Sequence, residues 1–317
     1  MQKRIVVLGG VGFIGSHLCR RLARDGHEVF CIDVRDVNNA PVLRDPLRSG
    51  SLRYVHHNII HPFGIRCDEI YNLAAPSMVR YSKALPVETL KVNMLGSIHA
   101  LDTARNEHAR VVLGSTCHVY APHKRGDLSS TRRIVAEGKR AAEALHRAYR
   151  TDFGLDTRIA RIFNTYGSGA DLMDQRVVIK MVVAALQHRE IIIEGSGEQS
   201  RTFCWVEDIV EGLVRLMEAP AADTTRTIDL GSDREIAIID LARRIIDLCG
   251  SRSRIVHIGA RIDEMRPRKP DLAATAAEIG WMPQVSLDEG LKQTIRYVEH
   301  ELLQRTNVFR SWVEINN

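Results

Sequence analysis

The stretch Arg4–Asp33, RIVVLGGVGFIGSHLCRRLARDGHEVFCID, decides the fold. It opens on a run of Ile, Val and Leu that reads as a buried strand, breaks at glycines, continues in a helical period and closes on a second apolar run, EVFCID. Gly10, Gly12 and Gly15 satisfy GxGxxG; Gly9, Gly12 and Gly15 satisfy the wider GxxGxxG. Glycines at such spacing permit a tight turn and close approach of backbone to a pyrophosphate, and the N-terminus of the following helix favours that negative charge. Phe13 and Ile14 fall inside the same turn. A strand before and a helix after supply the context this pattern requires. Asp33 ends the second strand, where a carboxylate would accept from a ribose 2′-hydroxyl and repel a 2′-phosphate. The expectation is a dinucleotide site for NAD in preference to NADP, with Arg35 as the counter-argument because it could fold over a phosphate. The alternative is an unrelated glycine turn followed by a surface aspartate.

Outward from this unit the pattern repeats. RYVHHNI, EIYNLA, ARVVLGST and DTRIARIFN read as further buried strands. VETLKVNMLGSIHALDTARNE and IVAEGKRAAEALHRAYRTDFG read as helices between them. Alternating strands and helices imply an α/β fold, a doubly wound parallel sheet covered on both faces. Later segments are mixed, without a proline-rich linker, so a smaller C-terminal domain is expected to interleave with the first. The expected boundaries are 1–167 and 202–229 for the dinucleotide-binding domain, and 168–201 and 230–310 for the substrate-binding domain.

The 317 residues suffice for one large or two modest domains, and 44% hydrophobic with 26% charged residues is ordinary for a globular protein. A net charge of +5 and only 5% aromatics argue against a nucleic-acid surface, which needs a dense basic stripe with interleaved aromatics. No run approaches the ~18 apolar residues of a membrane span. Cys19, Cys31, Cys67, Cys117, Cys204 and Cys249 are scattered without a CxxC pair, and no secretory leader precedes the first strand. A reduced, cytoplasmic protein is expected. His56, His57 and His61 lack a third partner at metal-ligand spacing, so no metal is expected.

From GGVGFIGSHL through IYNLAAP, LKVNMLGS, GSTCHVY, EGKRAAE, ARIFNTYG, EGSGEQSRTFCWVEDIVEGL and RPRKPDLAATAAEIGW, nearly the whole chain resembles the extended short-chain dehydrogenase/reductase family. That family holds the NAD-dependent nucleotide-sugar epimerases, dehydratases and decarboxylases. Within it the likeness is to the UDP-glucuronate decarboxylases (UDP-xylose synthases). The resemblance implies a Rossmann fold with a smaller substrate domain. It implies that Leu73, Ala74 and Ala75 line the nicotinamide ribose, and that Asn58, beside Ile59, receives the adenine amino group in place of an aspartate. It implies that Lys139 binds the nicotinamide ribose. Asn164, Arg176 and Arg201 would hold the nucleotide-sugar diphosphate and its surroundings, and Arg268 would lie near the sugar and its carboxylate. The planar guanidinium fork suits such anions. The helices around Met94 and Ala142 resemble those the family packs across a two-fold as a four-helix bundle, so a homodimer is expected.

At the chemical centre the chain departs from the family. STSEVYG appears as STCHVYA, Ser115–Ala121: Thr116 keeps the hydroxyl that would touch the substrate oxygen, Cys117 replaces a serine and His118 a glutamate. The tyrosine four residues before the lysine is Val135, which cannot carry a proton. A spacing of four puts both side chains on one helix face, which is why tyrosine and lysine normally act together. The segment between Tyr120 and Val135 is also shorter than in the family. Proton transfer at cellular pH then falls best to His118, whose ordinary pKa is ~6.5; a packed, hydrogen-bonded histidine is the bland alternative. Cys117 reads as an isostere of serine rather than a nucleophile. Tyr120 is a weaker alternative donor, at a position where the resemblance implies a packing tyrosine, and Tyr81 and Tyr166 are further phenols in cleft segments.

Two functional classes stay open. One is an active NAD-dependent enzyme on a sugar or nucleotide sugar with rearranged acid/base groups, a true UDP-glucuronate decarboxylase with His118 in the usual groups' place being one version. The other is a homologue that has lost catalysis and serves as a partner or sensor. Thr116, Lys139, Arg201 and Arg268 favour the first. The loss of both tyrosine and glutamate counts against full decarboxylation.

Overall fold

A computed structural model describes residues 1–76, 84–121, 131–173, 176–221, 225–259 and 269–315. Arg268, Tyr81 and the greater part of the shortened segment before Val135 lie outside them.

The opening stretch folds as read: β1 (Arg4–Leu8), α1 (Phe13–Arg24) and β2 (Glu28–Asp33). A short helix α2 (Arg44–Arg48) and β3 (Leu52–His56) follow, then β4 (Glu69–Asn72), α3 (Pro86–Glu107), β5 (Arg110–Thr116), α4 (Thr131–Phe153) and β6 (Thr157–Ile162). Among the described residues, seven parallel strands make one sheet in the order β11-β6-β5-β4-β1-β2-β3, where β11 is Arg226–Leu230. Ile5, Val6, Val7, Leu8, Ile70, Val111, Val112 and Leu113 are fully buried, which is why these strands carry continuous apolar runs rather than alternation. Helix α1 packs against α6 (Val206–Glu218), and α3 against α4, giving the helical layers of a doubly wound Rossmann fold. Chain order reverses between β1 and β4, the place where such sheets open a crevice at their carboxyl ends.

The chain divides into two compact units. The first comprises Met1–Phe163, Val206–Asp233 and Asp263–Pro283; the second Asn164–Trp205, Arg234–Ile262 and Gln284–Asn317. The return of the chain to the first unit after residue 262 differs from the sequence reading, which gives 230–310 wholly to the second. Side chains explain the return. Helix α8 (Leu272–Ile279) lies along β11, with Thr275 Oγ1 donating to the Asp229 carbonyl at 2.9 Å and the Asp271 amide to the Asp229 carboxylate at 3.0 Å. Trp281, 1% exposed, donates its indole N–H to the Asp208 carbonyl at 2.9 Å. The first two of these bonds fasten the returning segment to the edge strand β11, and the third fastens it to α6.

In the second unit, α5 (Val177–Leu186), α7 (Ile238–Leu248) and α9 (Leu287–Ile315) surround three small sheets. They pair β7 (Thr165–Tyr166) with β10 (Cys204–Trp205), β8 (Ile191–Glu194) with β13 (Ile255–Ile258), and β9 (Ser200–Thr202) with β12 (Glu235–Ala237). Tyr166 anchors this unit, its ring edge-on to Phe203 and Trp205 and its hydroxyl donating to the Leu287 carbonyl at 3.1 Å.

Candidate active site

The glycine turn after β1 closes on itself. Gly9 N–H donates to the Ile32 carbonyl at 2.8 Å, and Gly12 N–H to the Gly9 carbonyl at 3.0 Å. Gly9 has φ +77°, and a Cβ there would stand 2.8 Å from the Ala74 backbone. A Cβ on Gly15 would stand 2.2 Å from the Gly9 oxygen. Gly10 differs: a Cβ there would meet the buried sulfurs of Cys31 and Cys19, at 2.6 and 3.1 Å. The GxxGxxG spacing therefore describes the turn, while Gly10 serves packing beneath it. Gly12 is the N-cap of α1 without a side-chain cap, and no acidic residue occupies the first turn, where Phe13 and Ile14 are half-buried. A backbone cradle with no room for side chains, at an N-terminus without an acidic neighbour, fits a dinucleotide pyrophosphate.

Asp33 ties the second strand to this turn. It is 8% exposed; one carboxylate oxygen accepts from the Val11 amide at 3.0 Å and the other from the Arg35 amide at 2.9 Å. A carboxylate offers about four acceptor positions, so capacity remains for a ribose hydroxyl. Leu73 and Ala74 are brought against the turn, the Leu73 amide donating to the Leu8 carbonyl at 3.0 Å, and half-buried Ala75 follows. Asn58 spends its amide oxygen on the Ile60 amide at 3.2 Å. Ile59 is 4% exposed, packs over Gly96 of α3, and its carbonyl meets His99 at 2.9 Å.

Thr116 ends β5, and a 3-10 turn, Cys117–Tyr120, follows. Thr116 Oγ1 caps this turn by accepting from the His118 amide at 3.3 Å; Cys117 is buried and His118 half-buried. On α4, half-buried Val135 lies one turn before Lys139. Lys139 is 4% exposed and has no ion pair among the described residues. Burial lowers its ammonium to about 8, with Glu143 pulling the other way.

Sequence reasoning missed the network behind this turn. Glu143, 2% exposed, accepts from Ser115 Oγ at 2.7 Å and from Arg161 at 2.9 and 2.7 Å. Burial alone would raise its carboxyl, but the hydrogen bonds from Arg161 and Ser115 hold it below the ordinary value. The Arg161 guanidinium stacks 4.6 Å from the Tyr120 ring, whose hydroxyl donates to Asp229 at 2.8 Å. Tyr120 is thereby committed to a carboxylate, and burial raises its pKa further. The visible signal was Glu143 itself, four residues past Lys139 on the same helix face.

His146, one turn further, is fully buried, and neither ring nitrogen has a hydrogen-bond partner among the described residues. Burial, with Lys139 nearby, lowers its pKa to about 3. The unfolded chain, with histidine near 6.5, takes up this proton first. The stability due to neutral His146 is therefore complete above pH 6.5 and drains away as pH falls toward 3. At one proton the loss is about 2 kcal/mol by pH 5. Urea melts of His146→Phe across this range should show an acid limb flatter by that amount; an unchanged limb refutes the assignment.

In the second unit, the Asn164 side-chain amide donates to the Thr202 carbonyl at 3.0 Å and the Asn164 backbone carbonyl accepts from the Cys204 amide at 2.9 Å, lacing the start of β7 to β9 and β10. Arg201 lies on β9 beside that lacing, and exposed Arg176 is the N-cap residue of α5.

Comparison with known proteins agrees with this geometry. Residues 5–231 match the NAD dependent epimerase/dehydratase family. UDP-glucuronic acid decarboxylase 1 of Xenopus tropicalis is 36% identical over 316 residues, covering 96% of this chain and 74% of its own. UDP-glucuronic acid decarboxylase 6 of Arabidopsis thaliana is 36% identical over 299 residues, covering 91% and 86%. Among solved structures, TunA, an NAD dependent NDP-hexosamine 5,6-dehydratase involved in tunicamycin biosynthesis, matches with TM-score 0.79 at 26% identity, covering 94% of this chain and 98% of its own. The chain therefore belongs to the NAD dependent epimerase/dehydratase family of enzymes.

Proposed function

We propose that the protein oxidises or reduces one ring carbon of a nucleotide sugar, alone or as a step in an epimerase, dehydratase or decarboxylase cycle, with His118 moving the proton that a tyrosine moves elsewhere in the family. Lys139 carries this reading. A buried ammonium with no ion pair among the described residues is costly, and a bound polar ligand offsets that cost. In this reading the first unit holds NAD through Gly9, Gly12, Phe13, Ile14, Gly15, Asp33, Asn58, Ile59, Leu73, Ala74, Ala75 and Lys139. NAD supplies the hydride acceptor. Thr116 orients the substrate hydroxyl, His118 takes its proton, and Lys139 holds the ribose while adding positive charge. Asn164, Arg176, Arg201 and Arg268 bind the nucleotide and the sugar. The relatives' names make UDP-glucuronate the first substrate to try.

Two further points belong to the proposal. Val87, Met94 and Leu95 of α3 are exposed at spacings of seven and eight, one apolar stripe suited to a second copy of the chain in a four-helix bundle. The scattered cysteines suit a reducing cytoplasm.

His118→Ala is expected to cut turnover of UDP-glucuronate by about 100-fold or more while leaving NAD affinity in place. Absorbance at the reduced-nicotinamide band and NMR of the products read this out. Unchanged turnover removes His118 from the mechanism. Release of UDP-xylose by the wild type at ordinary enzyme rates would favour the full decarboxylase reading.

A further inference from the structure

Arg140 follows Lys139 on α4, and its side chain is 25% exposed. It reaches across to the end of the 3-10 turn. Nε and Nη2 donate to the Val119 carbonyl at 3.1 and 2.9 Å, and Nη2 also donates to the Ala121 carbonyl at 2.6 Å. Nη1 pairs with Glu137 one turn earlier, which fixes the guanidinium plane against the helix. At the other end of the turn, Ser115 is held by Glu143 of the same helix. Thr116, Cys117 and His118 thus lie on a stretch fastened to α4 just before and just after them.

We infer that Arg140 is a positioning residue that sets His118 in register with Lys139. The last carbonyls of a helical turn have no partner within it. A charged, planar donor that takes two of them at once fixes both the position and the tilt of the backbone. His118 is the residue immediately before the first of those carbonyls, so its backbone is restrained while Arg140 holds. Lysine at this position would reach one carbonyl as a point charge and lose the fork. The same helix therefore supplies the ribose-binding ammonium and, one residue on, the clamp for the proton-moving imidazole. A displacement of ~1 Å between such groups is enough to cost on the order of 100-fold in rate.

This inference rests on the reading of His118 as the proton carrier, but its decisive test does not. The full-length protein, labelled with 13C-histidine and assigned through His118→Ala, is titrated with NAD present. In Arg140→Ala the His118 Cε1 resonance is expected to shift and broaden and its titration curve to move, while NAD affinity stays within about twofold of wild type. With UDP-glucuronate as probe, kcat is expected to drop 10- to 100-fold at nearly constant KM, with partial recovery in Arg140→Lys, on the order estimated for small misplacement. Arg140→Gln, which keeps one amide donor, is read the same way if the alanine variant does not fold. A His118 resonance and titration identical to wild type in the variant overturn the inference, whether or not UDP-glucuronate is turned over. A failure of His118→Ala to affect turnover overturns instead the reading beneath it.

Discussion

Gly15→Ala is expected to weaken NAD binding by ~100-fold or more and to lower stability by about 2–3 kcal/mol. The new methyl would lie 2.2 Å from the Gly9 oxygen and 3.0 Å from Gly10 Cα, both backbone atoms that cannot rotate aside. Relief requires the first turn of α1 to move away from the turn that Gly9, Gly12 and Asp33 hold together. Moving it opens the cradle that we assign to the pyrophosphate. Gly26→Ala is the control. Gly26 has φ +88° but nothing within 4 Å of a new Cβ, so that variant bears backbone strain without a clash. It should lose about 1 kcal/mol of stability and keep full NAD affinity. Calorimetric titration with NAD beside thermal melts separates the two. Near-equal affinities for Gly15→Ala and wild type would exclude this turn as the dinucleotide site.

Glu143→Ala is expected to cost about 3–5 kcal/mol. The carboxylate is 2% exposed and serves Ser115, Arg161 and Arg147 together. Its removal leaves the Arg161 guanidinium, with its side chain 19% exposed, beside an empty volume and an unpaired Ser115 hydroxyl. Glu143→Gln should cost less because the amide oxygen still accepts one of these bonds. The acid dependence follows from the lowered carboxyl. Its stabilisation is present above the unfolded value near 4.5 and is lost as pH falls through the folded one. Urea denaturation at pH 7 decides the matter, and a loss under ~1 kcal/mol would mean that Arg161 finds another partner.

The parts of this protein that could be read from sequence are those whose causes are local. Arg4–Asp33 fixes its own turn, because glycine spacing and apolar period act within one unit. Val135 and Lys139 could be compared because four residues make one helix turn. Glu143 lay on the same face, yet its partners Ser115 and Arg161 come from β5 and β6, which meet only in the folded sheet. The Arg140 clamp left no trace at all, since its acceptors are backbone carbonyls that any residue provides. β11 was hard to see for another reason: in RTIDL only the last three residues are buried, one of them an aspartate, so neither alternation nor an apolar run marks it. Asn58 accepts one short-range bond, from the Ile60 amide, and its amide oxygen keeps a second lone pair for the adenine contact that its family position suggests.

The interrupted path of the first unit has a consequence for synthesis. Its sheet needs β11 beside β6, and Thr275 of α8 must reach back 46 residues to Asp229 before that edge is covered. A nascent chain emerging from the ribosome therefore holds an exposed strand edge until residues 271–281 have been made. Pairings of such long sequence separation form late and slowly. Chains arrested before Trp281 should be caught by proteases or chaperones along β11, even though their glycine turn is complete.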